Sequence, residues 1–254
     1  MTENSKAQRK HDRLFAFLRA FPLEAHPCPH PDSANLLVLG ADGGDRPTRL
    51  IYRPRAGGRC DGMTVLAAAS LSFGGSQNPL VGALPPEIAF DLADEPELDV
   101  LSRMLMSELT VSRCGGGFIE TRLSEIVVVH AIRRAIANGT VNAGLMAGLA
   151  HKDLNPCLVA MHDDPGHPWT IGSLSEIAGM SRSRFIRTFT QTVGQPPLAY
   201  LTQWRLTLGR VALVEGHTVK VAAGKVGFSS AAGFSRAFSR VFGHAPSTVA
   251  SHDA

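Results

Sequence analysis

The sequence predicts an α+β chain in two parts: a strand-rich region that ends in helices, then an all-α domain built on a repeated helical pair. Three observations predict it. Residues 22–95 carry short apolar bursts separated by Gly and Pro. Helical periodicity replaces them after Pro96. The last 85 residues contain one motif twice.

The elements follow in order. Residues 1–11 are polar and predict no packed structure. Leu14, Phe17, Leu18 and Phe21 follow i, i+3, i+4, i+7 spacing, which predicts a short amphipathic helix that Pro22 ends. Apolar bursts at 36–39, 50–52 and 63–73 predict strands, with turns at 42–45 and 56–58. Leu98, Leu101, Leu105 and Leu109 share one helical stripe. After the break at 114–117, Ile119, Leu123, Ile126, Val127 and His130 form another. Val128, Val129 and Ile132 make that second helix apolar almost all round. It is therefore either a core helix or one shared with a partner chain. Residues 138–168 read as a linker, with Pro156 expected to interrupt any helix there.

The repeat is specific. Gly179-Met180-Ser181 returns as Gly227-Phe228-Ser229, and Phe185-x-Arg187-x-Phe189 returns as Phe234-x-Arg236-x-Phe238. Gly194 and Pro197 return as Gly243 and Pro246, and the second copy has one extra residue before its first Phe. Each copy reads as helix-turn-helix. In the first, Ile171, Leu174, Ile177 and Ala178 line a support helix. Gly179 supplies the positive φ of the turn, and Ser181 caps the next helix. Phe185 and Phe189, four apart, pack inward. Ser183, Ile186, Arg187 and Thr190 then point outward, with Arg182 and Arg184 at the start and edge of the same helix. In the second copy Val219, Ala222, Ala223 and Val226 support, Gly227 turns, Ser229 caps, and Ala231, Ala232, Ser235 and Arg236 face out. Leu201, Trp204, Leu208 and Val211 predict one long helix that sets the separation of the copies.

Charge singles out the same segment. Residues 169–242 hold nine Lys/Arg against two acids, net +7, while the whole chain is +3, so the remainder is −4. A basic segment on a mildly acidic body favours a polyanion. A pair of helical hairpins in a bundle would explain the Phe pairs, but neither the repeated outward Arg nor this charge.

On these residues, together with Tyr200-Leu201, Arg205 and Val226-Gly227-Phe228, residues 169–249 resemble the DNA-binding domain of the AraC/XylS family of transcription regulators. The resemblance implies a sequence-specific regulator that binds double-stranded DNA. Two recognition helices would enter successive major-groove segments on one DNA face. Contacts fall at Ser183, Ile186 and Arg187, and at Ala232, Ser235 and Arg236. Arg240 and Lys225 read as phosphate contacts. The second recognition helix begins Ser230-Ala231-Ala232-Gly233, so the first is expected to supply most base discrimination. Ala222 stands where the family usually has a larger aliphatic residue. Residues 12–137 resemble the cupin-like β-barrel that precedes such domains in part of the family. Here the stretch is short and the barrel is expected to be incomplete. The expected division is 1–137 as a cupin-like sensor or dimerisation domain, 138–168 as linker and 169–250 as the DNA-binding domain. The partners implied are a small-molecule effector, a second copy of the chain and, for an activator, RNA polymerase.

Other chemistries find little support. His26-x-Cys28-x-His30 has metal-ligating residue types, but prolines at 27, 29 and 31 stiffen it, and nothing nearby in sequence completes a tetrahedral set. A metal-dependent cupin enzyme needs clustered histidines on its strands, and none lies between His30 and His130. Neither GxSxG nor GxxxxGK[ST] occurs, and no cofactor, metal or catalytic site is expected. Cys28, Cys60, Cys114 and Cys157 form no CxxC pair, consistent with free thiols in a reducing cytoplasm. No strongly apolar run of membrane-spanning length is present, so no membrane association is expected. A helical interaction module without DNA contact remains the alternative to a regulator.

Overall fold

A computed structural model describes residues 12–28, 31–55, 63–110, 113–138 and 144–249. The chain divides into two compact units, residues 21–141 and residues 1–20 with 142–254.

The first unit is an open antiparallel sheet with a helical hairpin packed on it. Strands β1 (Glu24–Pro27), β2 (Leu36–Gly40), β3 (Pro47–Tyr52), β4 (Thr64–Ser72) and β5 (Ile88–Asp91) lie in the order β1-β4-β2-β3-β5. Among the described residues the edge strands β1 and β5 are not paired with each other, so the sheet they form is open. Its centre, β2, is buried at every position, as a strand covered on both faces must be. A bulge opposite Val38 and Leu39 shifts the register of β4. Helix α2 (Pro79–Ala83), capped by the buried Asn78, joins β4 to β5. Helices α3 (Pro96–Thr110) and α4 (Gly116–Ala137) pack on each other and across the sheet. Arg134 donates to Glu95 at 2.9 Å, tying α4 to the start of α3. The opposite sheet face is closed by Ala34, Leu37, Leu39 and Ile51 with Cys28, Met63, Val65 and Ala68.

The stripe expected on α4 is rotated. Leu123, Val127, Val128, Ala131, Ile132 and Ala135 are buried, whereas Ile119 and Ile126 are exposed. Ser124 occupies the middle of the buried arc, so the apolar residues alone misplaced its centre.

The second unit differs from the expected division at two places. Helix α1 (Phe15–Ala20), expected with the N-terminal domain, belongs here: Phe17 is fully buried against His162 and Trp204. Much of the described part of the expected linker, residues 145–162, is also core. Helices α5 (Leu145–Ala150) and α6 (Asn155–Asp163) bury Leu149, Leu154, Cys157, Leu158 and Met161 completely. Pro156 does not break α6. It sits in the first turn, where a missing N–H costs nothing. A Cβ on Gly148 would stand 2.8 Å from Leu158 and 2.9 Å from Val193, so α5 packs closely on both neighbours. There follow α7 (Ile171–Ile177), α8 (Arg182–Val193), the long α9 (Pro197–Val214), α10 (Val219–Lys225) and α11 (Ala231–Phe242). Helix α9 is the spine. Tyr200 and Trp204 serve the first helical pair with α1 and α6, and Leu206, Ala212 and Leu213 serve the second. Gly209 lets the Phe234 ring lie on the helix, where an added Cβ would approach it to 2.5 Å.

Among the described residues no helix is long and apolar enough to cross a membrane, and no three His, Cys, Asp or Glu side chains cluster to hold a metal. His30 and Cys60 lie outside the described residues, so the His26-x-Cys28-x-His30 motif is described only in part.

Candidate nucleic-acid interface

Both helix-turn-helix units are built from short capped helices. Thr170 and Ser173 form a reciprocal capping box at the start of α7. The buried residues of α7 are Leu174 and Ser175, followed by the buried C-cap Ala178, and Ile177 is exposed. Ser175 replaces Ile177 on the inner face because its hydroxyl is satisfied locally, donating to the Gly172 carbonyl at 2.8 Å. Ser181 caps α8, accepting from the Arg184 N–H. In the second unit the cap is Ser230, not Ser229. Its hydroxyl accepts from the Gly233 N–H at 3.1 Å. The extra residue of the second copy lengthens the turn and moves the cap by one place. Gly194 and Gly243 close α8 and α11 in the left-handed region.

The phenylalanine pairs anchor the two helices. Phe185 and Phe189 are fully buried with ring centroids 5.7 Å apart, and Phe234 and Phe238 are equally buried at 5.5 Å. With those faces fixed inward, the opposite faces of α8 and α11 are turned out. Arg182, Ser183, Arg184, Ile186 and Arg187 are exposed and Thr190 is half-buried. On α11, Ala232, Arg236 and Arg240 are exposed and Ser235 is half-buried. Lys225, at the end of α10, is exposed and its Nζ lies 2.7 Å from His217 Nε2. Arg182 does not project freely, because its guanidinium lies across the first turn of α7, beside Gly172. Gln191 and Ser239, also exposed, went unnoticed in the sequence. They follow Arg187 and Ser235 by four residues and continue the same faces, which is the signal that would have found them.

The arginines of these faces are left uncompensated. Among the described residues none of the ion pairs involves Arg182, Arg184, Arg187, Arg236 or Arg240. Two capped helices, each presenting unpaired arginines near its exposed face, suit a polyanion.

The interior that holds this surface is apolar enough to suppress ionisation. His162 lies between Phe17, Tyr200 and Trp204, with Nε2 2.6 Å from the Tyr200 hydroxyl. Burial pushes His162 down to about 3, so it is neutral at pH 7, and pushes the Tyr200 phenol far up. Cys157, whose thiol donates to the Leu174 carbonyl at 3.1 Å, is pushed up to about 12 by burial and is a packing residue, not a nucleophile.

Comparison with known proteins agrees with this arrangement. Residues 174–252 match a helix-turn-helix domain family and residues 23–137 match a cupin family. A putative AraC-like transcription regulator of Streptomyces lividans is 33% identical over 240 residues, covering 92% of this chain and 75% of that protein. The chain belongs to the AraC-like family of transcription regulators. A second AraC-like relative, from Streptomyces antibioticus, is 33% identical over 70% of this chain and 60% of its own length. The HTH-type transcriptional regulator AlkR of Acinetobacter baylyi is 35% identical over 66% of this chain and 57% of its own length. As an AraC-like protein the chain is a DNA-binding transcription regulator with an N-terminal cupin domain and a C-terminal helix-turn-helix domain.

Proposed function

We propose that this regulator reads its operator with α8 and α11, and that its cupin unit adjusts that binding in response to a small-molecule effector or through pairing with a second copy. The observation that carries the reading is the repeated exposed arginine face. Arg187 and Arg236 occupy equivalent places on two helices whose phenylalanine pairs hold the opposite sides inward. In α8, Ser183, Ile186 and Arg187 form the base-reading set. Arg187 supplies a bidentate donor suited to guanine, and the exposed Ile186 an apolar contact suited to a thymine methyl. In α11, Ala232 and Ser235 offer little hydrogen bonding, and Arg236, Arg240 and Lys225 serve mainly the phosphates.

Pairing draws support from the first unit. Val100 and Met104 of α3, and Phe118, Ile119 and Ile126 of α4, are large apolar side chains left exposed.

The test is selection of bound fragments from a random duplex pool by the full chain, followed by gel shift across salt concentration. A shared motif should emerge, and affinity for it should fall steeply and linearly on a log–log salt plot. Recovery of no motif, with no shift at low salt, would favour a helical interaction module instead.

A further inference from the structure

We infer that Arg205 is a positioning residue that locks the angle between the two helix-turn-helix units, and so sets the operator spacing the protein accepts. The inference rests on the reading of α8 and α11 as DNA-contacting helices.

Arg205 projects from the middle of α9 and is half-buried. Its Nε donates to the Pro165 carbonyl at 2.6 Å and its Nη2 to the His167 carbonyl at 2.8 Å. One rigid guanidinium thus grips two carbonyls of the loop that leads into the first helix-turn-helix. That loop is itself closed. Asp164 Oδ1 accepts from the His167 N–H at 3.1 Å, the Trp169 indole donates to the Asp164 carbonyl at 2.8 Å, and the His167 and Trp169 rings lie 4.3 Å apart. Burial lowers the Arg205 pKa, and the nearby Asp164 carboxylate opposes this by favouring the guanidinium charge.

The tip of the same loop meets the second unit. Gly227, the turn residue between α10 and α11, has φ +81°, and a Cβ there would stand 2.8 Å from both Cα and O of Gly166. Backbone therefore lies on backbone, with no flexible side chain between to absorb a shift. Loop 164–169, the spine helix and the turn of the second unit meet at one point, and Arg205 is the side chain that holds the loop there. Helix α9 alone fixes distance. The Arg205 grip and the Gly166–Gly227 contact fix rotation, to which two helices entering successive grooves are sensitive.

The experiment uses the full chain, duplexes selected by the wild type, and R205A and R205K. R205A should bind the selected two-segment site at least tenfold more weakly. It should bind duplexes with one segment scrambled as the wild type does. One base pair inserted between the segments, which should weaken the wild type sharply, should cost R205A much less. R205K, which reaches one carbonyl, should fall between. Equal losses of R205A on two-segment and single-segment duplexes, or a spacing preference unchanged in both variants, would overturn the inference. A DNA-free measurement keeps it separate from the functional reading. Electron–electron distances between nitroxides carried on unnatural residues at positions 191 and 239 should be narrowly distributed in the wild type and broadened in both variants, and an unchanged distribution in R205A would also overturn it.

Discussion

The proposed reading of DNA rests on a few outward arginines. Arg187 and Arg236 were legible because each lies two places after an inward Phe, and the structure leaves both exposed. R187A should cost about 1–3 kcal/mol of operator binding and relax preference at one base pair, read by competition titration against single-base operator variants. Unchanged affinity would remove α8 from the groove. The surroundings of His162 were not legible from the sequence around it. Its neutral burial depends on Phe17, which lies 145 positions earlier, beyond the reach of local periodicity. Its folded pKa, about 3, lies below the unfolded value of about 6.5, so between those limits the unfolded chain binds a proton that the folded one refuses. The stabilisation is fully present above pH 6.5 and is lost as pH falls, by up to about 1.4 kcal/mol per pH unit. Urea unfolding at pH 7 and pH 5 should show a smaller decline for H162Q than for the wild type.

At the scale of elements, strands and helices were visible from turn residues and periodicity, but the centres of their buried faces were not. On α7 the inward position expected of Ile177 belongs to Ser175, and on α4 Ile119 and Ile126 face out while Ser124 is buried. Ser175 bonds to its own helix, so polarity does not bar it from a core; the buried Ser124 hydroxyl has no hydrogen-bond partner among the described residues, and its place inside has no such explanation. An apolar side chain, for its part, is not obliged to enter a core. Short α2, which occupies only residues Pro79–Ala83, carried too few residues for any period to show. The cap of α11 was misplaced by one residue because two serines stand side by side and only the geometry of the turn chooses between them. S230A should therefore cost about 1 kcal/mol in unfolding free energy. S229A should stay within about 0.5 kcal/mol. Equal losses would mean that the Ser230 hydroxyl bond to Gly233 does not stabilise the helix.

At the scale of the whole molecule, the two-part plan and the family were legible from the duplicated motif, but the division between units was not. Helix α1 precedes the sheet in sequence yet packs with α6 and the spine helix, because Phe17 completes an aromatic cluster formed there by His162 and Trp204. Residues 145–162, read as part of a linker for their Gly and Pro content, are two short core helices, which need those residues at their ends, while 164–168 are the loop that follows. Phe118, Ile119 and Ile126 of α4 are large apolar side chains left exposed, and the proposed pairing with another copy rests on them. I126D should lower the mass measured by sedimentation at micromolar concentration without lowering the melting temperature, and an unchanged mass would leave α4 out of any pairing. The proposed function requires α8 and α11 to contact DNA together. Hydroxyl-radical footprinting on a selected duplex tests this most directly. Two protected segments on one face, centred about one helical turn apart, with R187A erasing one and R236A weakening the other, is the predicted result; a single protected segment indifferent to R236A, or uniform protection of any sequence, would contradict it.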